Sequence, residues 1–253
     1  MIDSHCHLDV AAFDSDRDAV LARAEAAGVR GIVVPAIRPC TWAALAAFHH
    51  PLVRFALGVH PQIVPALASD EVPADLAAAI AQTGAIAIGE CGLDGGTGEH
   101  ERQEQLFRAQ IRVARELGKP LVIHVMRAHD VAPRILREEG AAQVGGVMHR
   151  YSGGEHLVPV YRDLGMCFSF AGPVTYDNVR RPIAAARAVP AELLLAETDA
   201  PNQAPAPHRG GRSEPAFVAA VIAGLAAARG TSVEEMTALT TRNAERLFGI
   251  FRR

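Results

Sequence analysis

Short apolar runs alternate with alanine-rich helical stretches along the whole chain. Most of the runs are continuous rather than alternating, which is typical of parallel strands buried on both faces. The predicted strands span residues 1–5, 31–35, 54–58, 85–89, 121–125, 145–148, 166–170 and 193–196. The predicted helices span residues 16–27, 41–48, 74–82, 101–117, 131–139, 155–164, 179–188, 215–229 and 233–248.

Eight β/α units of roughly 30 residues predict a closed (β/α)8 TIM barrel, with residues 1–253 as one domain. An open doubly wound sheet is the alternative. No G-x-G-x-x-G follows the first strand, however, and a dinucleotide-binding sheet would carry one there. Residues 201–215 are rich in proline and glycine. They predict a long loop at the rim of the barrel, which could act as a lid or be a disordered connection.

Composition and charge exclude several classes of protein. The net charge is −3 and no long basic run is present, which argues against a protein that coats nucleic acid. An enzyme that holds one end of a nucleic-acid strand with a few arginines remains compatible with this charge. No apolar stretch approaches the ~20 residues of a membrane span, and the N-terminus has no signal-peptide pattern. We therefore expect a cytoplasmic protein with no membrane association, and nothing indicates an obligate protein partner.

The four cysteines are far apart and form no C-x-x-C pair, which fits a reducing compartment. Cys6 and Cys91 stand next to suspected metal ligands. Because side chains alternate along a strand, a residue beside an inward ligand points the other way. Both cysteines are therefore expected to pack against the helices rather than bind metal.

Six residues with metal-binding side chains each follow an apolar run, at the end that becomes the C-terminal end of a strand. They are His5, His7, Glu90, His124, His149 and Asp199. One such histidine alone would more often be an ordinary core or surface residue. In a barrel, however, the C-terminal ends of all strands meet at the rim where active sites assemble. The joint pattern predicts one ring of ligands, and histidines with carboxylates suit Zn²⁺, Mn²⁺ or Mg²⁺.

The first and third predicted strands add detail to this ring of ligands. Asp3, His5 and His7 share one strand face because strand periodicity is two, so both histidines can reach one cation. His60 ends the third predicted strand in the sequence GVHP at 58–61. It could be a further ligand, but a substrate contact from the rim is the favoured interpretation.

These motifs together resemble those of the TatD family of metal-dependent hydrolases, and the match spans the whole chain. They are MIDSHCHLD at 1–9, GVHP at 58–61, GECGLD at 89–94, His124, His149 followed by YSG at 151–153, and ETDAP at 197–201. The resemblance implies a TIM barrel of the amidohydrolase superfamily that holds two or three divalent cations, with Zn, Mg and Mn as the candidates.

The resemblance also implies a reaction and roles for the residues. The reaction would be phosphodiester hydrolysis through a metal-activated water, often as a DNase acting on single-stranded DNA from the 3′ end, with another phosphodiester substrate as the alternative. The metal ligands would be His5, His7, Glu90, His124, His149 and Asp199. Glu90 would bridge the cations and Asp199 would also act on the attacking water, so both are predicted catalytic residues. His60 would face the phosphate.

Three departures from the family pattern concern substrate binding. Met126 stands where members often have a basic residue, and Arg127 follows it. Arg150 and Tyr151 replace the usual small or aromatic pair after the sixth-strand histidine. The late loop reads RSEP at 212–215 instead of an Asn-Arg-Pro-Glu-like segment. The arginines that could hold phosphate by bidentate contacts are Arg127, Arg150, Arg209 and Arg212, with Arg150 first because it adjoins a ligand.

Two other functions remain open. A hydrolase of a small amide, ester or lactone could use the same scaffold. Many such relatives bridge their metals with a carboxylated lysine after the fourth strand, but that position is Glu90 here. The only lysine, Lys119, stands before the fifth strand, at its N-terminal end, whereas the predicted ligands stand at C-terminal ends of strands. A non-catalytic metal-binding partner protein is the other alternative, and it is disfavoured because no ligand is missing.

Overall fold

The computed structural model describes residues 1–250 as a ring of parallel strands surrounded by helices. The strands are β1 (Ile2–Asp3), β2 (Gly31–Pro35), β3 (Val53–Leu57), β4 (Ala87–Asp94), β5 (Leu121–Met126), β6 (Gly146–Met148), β7 (Met166–Phe170) and β8 (Leu194–Ala196). The α-helices are α1 (Arg17–Ala26), α2 (Trp42–Ala47), α3 (Leu76–Ala81), α4 (His100–Leu117), α5 (Ala132–Glu138), α6 (Val158–Arg162), α7 (Arg180–Ala188), α8 (Val218–Arg229) and α9 (Val233–Phe248).

The sheet confirms the predicted (β/α)8 barrel. Each strand pairs in parallel with the next one along the chain, in the order β1 to β8. A doubly wound sheet would reverse its strand order at a switch point, so that alternative is wrong. The ring closes through single bonds at the rim, where Ser4 N donates to Ala196 O (3.1 Å) and Asp199 N donates to His5 O (2.9 Å).

The core has two layers, as a closed barrel requires. One cluster takes a single buried side chain from each strand, so it fills the inside of the ring, and Ala244 and Phe248 of α9 join it. The other strand residues form a larger cluster with the surrounding helices. Cys6 and Cys91 belong to this outer cluster, as predicted, and burial raises the pKa of both thiols. All four cysteines are free.

Strand β4 differs from its prediction because it runs on to Asp94 instead of ending at residue 89. Its register against β5 shifts between Ile88 and Cys91. Two glycines permit this path, because a Cβ on Gly89 would lie 2.4 Å from Val122 O and one on Gly92 would lie 1.9 Å from a neighbouring carbonyl oxygen. Glu90 therefore lies within β4 and not after its end.

The loop at 201–215 is ordered, so the disordered connection is the wrong interpretation. Ser213 N donates to Pro201 O (2.9 Å), which closes the loop on itself. The guanidinium of Arg212 donates to both carboxylate oxygens of Asp16 (2.8 and 2.7 Å) and to Glu214 (2.9 Å). Arg212, a candidate phosphate contact, is therefore engaged with the segment before α1.

Within residues 1–250, no single helix is both long and apolar enough to cross a bilayer. One pair passes on length and composition together, Pro215–Arg229 with Val233–Phe248, and it is bent by 110°. A cytoplasmic location stays a prediction of the sequence.

Candidate metal centre

The carboxylate of Glu90 is the hub of a buried histidine cluster at the C-terminal rim of the barrel. Glu90 is fully buried, and the ring nitrogens that surround it lie between 2.9 and 3.4 Å from its oxygens. They belong to His5, His7, His60, His124 and His149. Four of the predicted ligands and the predicted substrate contact thus converge on the fifth ligand.

The two oxygens of Glu90 face two different groups of histidines. Oε2 lies 3.1 Å from His5 Nε2 and 3.4 Å from His7 Nε2. Oε1 lies 3.1 Å from His124 Nδ1 and 3.0 Å from His149 Nε2. Such a carboxylate can serve two cation positions at once, as the sequence predicted for Glu90.

Two further carboxylates face the outer nitrogens of the histidines. Asp94 Oδ2 lies 3.2 Å from His124 Nε2, and Glu197 Oε1 lies 3.3 Å from His149 Nδ1. Each of these rings therefore lies between two carboxylates, and a cation that displaced the inner proton would leave the outer nitrogen protonated toward its carboxylate. This arrangement prepares His124 to bind a cation through Nδ1 and His149 through Nε2.

In His60 the outer ring nitrogen accepts a hydrogen bond, whereas a carboxylate faces the outer nitrogens of His124 and His149. Its Nδ1 accepts a hydrogen bond from Gln62 N (3.0 Å), so a neutral ring carries its proton on Nε2. That Nε2 lies 2.9 Å from Glu90 Oε1 and also groups with Glu90 and His124 as a possible cation site. A protonated nitrogen donates to an anionic oxygen and cannot bind a metal, so the bonding of His60 favours a contact to substrate.

Asp199 and Arg150 form the open side of the cluster. Asp199 Oδ1 lies 3.8 Å from His7 Nε2, and Asp199 Oδ2 lies 3.6 Å from a guanidinium nitrogen of Arg150. Both residues have positive φ, 52° and 42°. The amide N of Arg150 donates to Glu197 Oε1 (2.5 Å), which fixes the backbone at this turn. Together they line a cavity of about 130 Å³ with the histidines.

The other arginines lie elsewhere. Arg127 lines a separate hollow with His100 and Asp130, beyond the end of β5. Arg209 stacks over the ring of Tyr176 at 4.2 Å. The structure therefore brings Arg150 alone among the four predicted arginines into the cavity of the cluster.

Burial and neighbouring charges set the protonation of the cluster. Burial lowers the pKa of His7 to about 3 and also lowers that of His60. Burial would raise the pKa of Glu90, but the surrounding histidines hold it well below its ordinary value. Burial opposes a charge on His149, yet Glu90 and Glu197 raise its pKa well above the ordinary value. Cation binding would displace that proton, because imidazole binds metal only when neutral.

The donor set fits a divalent cation on geometric grounds as well. His5 Nε2 and His7 Nε2 lie only 3.2 Å apart and face the same carboxylate oxygen. Glu90 Oε2 is buried without a well-directed hydrogen bond. Buried polar atoms in native proteins are almost always satisfied, and converging nitrogen and oxygen lone pairs are satisfied by a cation.

Sequence reasoning missed Asp94, Glu197 and Gln62 as parts of this centre. Gln62 Nε2 donates to Asp94 Oδ2 (2.7 Å) and so fixes the carboxylate that faces His124. Asp94 stands four residues after Glu90 on the same strand, and Glu197 stands two residues before Asp199. Their spacing places them on the ligand-bearing faces, and this signal could have identified them.

The sequence model of the family described as TatD related DNase matches residues 2–249. The chain is 36% identical over 257 residues to a Bacillus subtilis protein named metal-dependent hydrolase YabD, covering 99% of each chain. It is 32% identical over 262 residues to a Pantoea ananatis protein named 3′-5′ ssDNA/RNA exonuclease TatD, covering 99% of this chain and 100% of that one.

A solved structure has the same architecture over nearly the full length. The crystal structure of YJJV, a TatD homologue from Escherichia coli, superposes with a TM-score of 0.89 at 29% identity. The similarity covers 99% of this chain and 98% of that one.

Proposed function

Because the chain belongs to the TatD family of metal-dependent hydrolases, we propose that it hydrolyses phosphodiester bonds of single-stranded DNA from the 3′ end. The family supports the hydrolase class. The name of the Pantoea ananatis relative supports the substrate class. The observation that carries the proposal is the Glu90 carboxylate, whose two oxygens face separate pairs of histidines.

Two cations would be held by groups that share Glu90. His5 and His7 would hold one, and His124 and His149 would hold the other, with Asp199 beside the first. When bound, divalent cations such as Zn²⁺, Mg²⁺ or Mn²⁺ supply Lewis acidity toward a phosphoryl group and make water more acidic.

Three residues that line the cavity of the cluster would act on the substrate. Asp199 accepts the proton of the attacking water at a carboxylate oxygen, and burial raises its pKa above the ordinary value, which makes it a stronger base. His60 donates from Nε2 to a phosphate oxygen. Arg150 places its guanidinium beside Asp199, where it can hold a second phosphate oxygen. Arg127, outside this cavity, would contact only a substrate that extends past β5.

The proposal is tested with 5′-labelled single-stranded DNA and purified protein in EDTA, followed by restored Mg²⁺ or Mn²⁺. We expect a metal-dependent ladder that shortens from the 3′ end. Asp199→Asn should lower the rate at least about a hundredfold, because a positioned general base typically contributes 10²–10⁴-fold. Asp70→Asn, the same change at an exposed position, should retain the wild-type rate.

Intact DNA in a protein shown to bind Mn²⁺ would overturn the nuclease proposal. Activity on small esters, lactones or amides would then identify the alternative class. A ladder that Asp199→Asn leaves unchanged would point to a contaminating nuclease.

A further inference from the structure

A second cavity adjoins the candidate metal centre at the ends of β6 and β7. Its volume is about 230 Å³ and its walls are mainly apolar. The apolar lining includes Met126, Tyr151, Phe170, Pro173, Val174 and Pro182. Arg150 lines both this cavity and the cavity of the metal centre, and its guanidinium lies 3.6 Å from Asp199 Oδ2. We refer to this second space as the side pocket.

The polar groups in the wall of the side pocket are mostly engaged. The Tyr151 hydroxyl donates to Gly154 O (2.9 Å), and the Ser152 hydroxyl donates to Val125 O (2.8 Å). Gln203 also lines the pocket, and within residues 1–250 its side-chain amide has no hydrogen-bond partner. The pocket therefore offers apolar walls, one free amide donor and acceptor, and a guanidinium at its mouth.

Backbone packing fixes the position of Gln203. A Cβ on Gly172 would lie 1.9 Å from Gln203 O, so only glycine lets the two loops touch there. The Tyr176 hydroxyl donates to Ala204 O (2.6 Å), and Ala206 N donates to Thr175 Oγ1 (2.7 Å). The loop after β8 is thus fixed to the loop after β7, and the side pocket is formed before any ligand arrives.

We propose that the side pocket binds the base of a nucleotide next to the scissile phosphodiester. This rests on the proposed function. A nucleobase is flat and apolar on its faces and carries hydrogen-bond donors and acceptors at its edge, which matches the walls and the Gln203 amide. Its attached phosphate would lie toward Arg150 and the metal centre. A base whose edge meets Gln203 cannot be paired, so the pocket selects single strands.

The test compares kcat/KM for 5′-labelled oligonucleotides that carry an abasic residue at the last or the next-to-last position. For the wild type, we expect one of the two abasic oligonucleotides to have a kcat/KM about tenfold or more below that of the intact strand. Gln203→Ala should lower kcat/KM about two- to tenfold on the intact strand, as loss of one hydrogen bond does. It should have no further effect on the affected abasic strand. Gln105→Ala, an exposed glutamine on α4, is the control.

Equal wild-type rates on the intact strand and on both abasic strands would overturn the side-pocket proposal and leave the nuclease function standing. The same would follow if Gln203→Ala slowed intact and abasic strands alike. Absence of cleavage of every strand by the wild type would overturn the nuclease function and the pocket with it. The comparison of strands in the wild type decides the matter even if the variant fails to fold.

Discussion

Two histidines of the candidate centre face a carboxylate at their outer ring nitrogen, and a third accepts a hydrogen bond there from the backbone. Asp94 faces the outer nitrogen of His124, and Glu197 faces that of His149. His60 accepts a hydrogen bond from the backbone at its outer nitrogen, so its inner nitrogen is a donor. Histidines of one cluster therefore differ in the partner at the outer nitrogen, which is a carboxylate for His124 and His149 and a backbone donor for His60.

Replacing Asp94 with asparagine should weaken cation binding without unfolding the protein. The change keeps the shape of the side chain but removes the charge that holds the proton on His124 Nε2. Loss of such an outer carboxylate typically costs 10–100-fold in metal affinity, and we expect an effect of that size. Competition with a chelating dye measures it. The control Asp18→Asn, at an exposed position in the first turn of α1, should bind the cation with wild-type affinity. If Asp94→Asn also bound the cation with wild-type affinity, the role of Asp94 would be refuted.

At the scale of single residues, the sequence predicts well which side chains meet at the candidate centre and predicts their partners poorly. His5, His7, His124 and His149 follow apolar runs, so the side chains that reach the rim can be read directly. Which nitrogen faces inward depends on contacts between strands that are distant in sequence. For that reason spacing along the chain can place Asp94 and Glu197 near the ligands, but the histidine that each one faces is known only from the folded arrangement.

Among the elements, the strands are predicted closely because buried parallel strands are continuous apolar runs. β2 and β7 have the predicted bounds, and most others differ by one or two residues. β4 is the exception, since the polar Glu90 and the glycines around it resemble the end of a strand. Close approach of Gly89 and Gly92 to β5 carries the strand onward, and such proximity leaves no mark in the hydrophobic pattern.

Helices α4 and α5 are joined by a network of ion pairs centred on Glu139, just after α5. Its carboxylate accepts from Arg108 (2.9 Å) and, through both oxygens, from Arg112 (2.7 and 2.8 Å). Arg108 also pairs with Glu104 and Glu138. Networks with bidentate geometry contribute more than isolated surface pairs, so this one should help to hold the two helices together.

Replacing Glu139 with glutamine should lower the free energy of unfolding by about 1 kcal/mol at pH 7. Hydrogen bonds from Arg112 hold the pKa of Glu139 below its ordinary value in the folded state, so the stabilisation is present above the ordinary value of 4.5. It is lost as the pH falls through the lowered folded-state pKa. Urea unfolding of the wild type and the variant should therefore show a difference that is full at pH 7 and shrinks below pH 4.5.

Glu116→Gln is the matched control for that experiment, because Glu116 lies exposed on α4. It should change stability little at any pH. A difference for Glu139→Gln that stays constant down to the acid transition would contradict an electrostatic origin.

At the scale of the whole molecule, the metal centre lies across the seam of the barrel. β1 and β8 share no strand ladder, and the segments after them are joined by one parallel bridge between Cys6 and Ala200 and by backbone bonds such as His7 N to Ala200 O (2.8 Å). Thr198 N and Thr198 Oγ1 also donate to the carboxylate of Asp3 (2.9 and 2.5 Å). Burial raises the pKa of Asp3 to about 8 despite these bonds. His5 and His7 stand on one side of the seam and Asp199 on the other, so cations bound there would join the first and last units.

Metal removal should therefore lower the thermal stability of the whole barrel. A cation that binds only the folded state adds about 2.7 kcal/mol at a free concentration 100 times its Kd. For a chain of this length that corresponds to a rise in Tm of about 5–10 °C. Calorimetry of chelator-treated protein, alone and with Zn²⁺ or Mn²⁺ added, measures the shift. Glu90→Gln should lose most of the cation-induced rise in Tm, while Glu116→Gln should keep it. A wild-type Tm that no divalent cation changes would contradict a metal centre built across the seam.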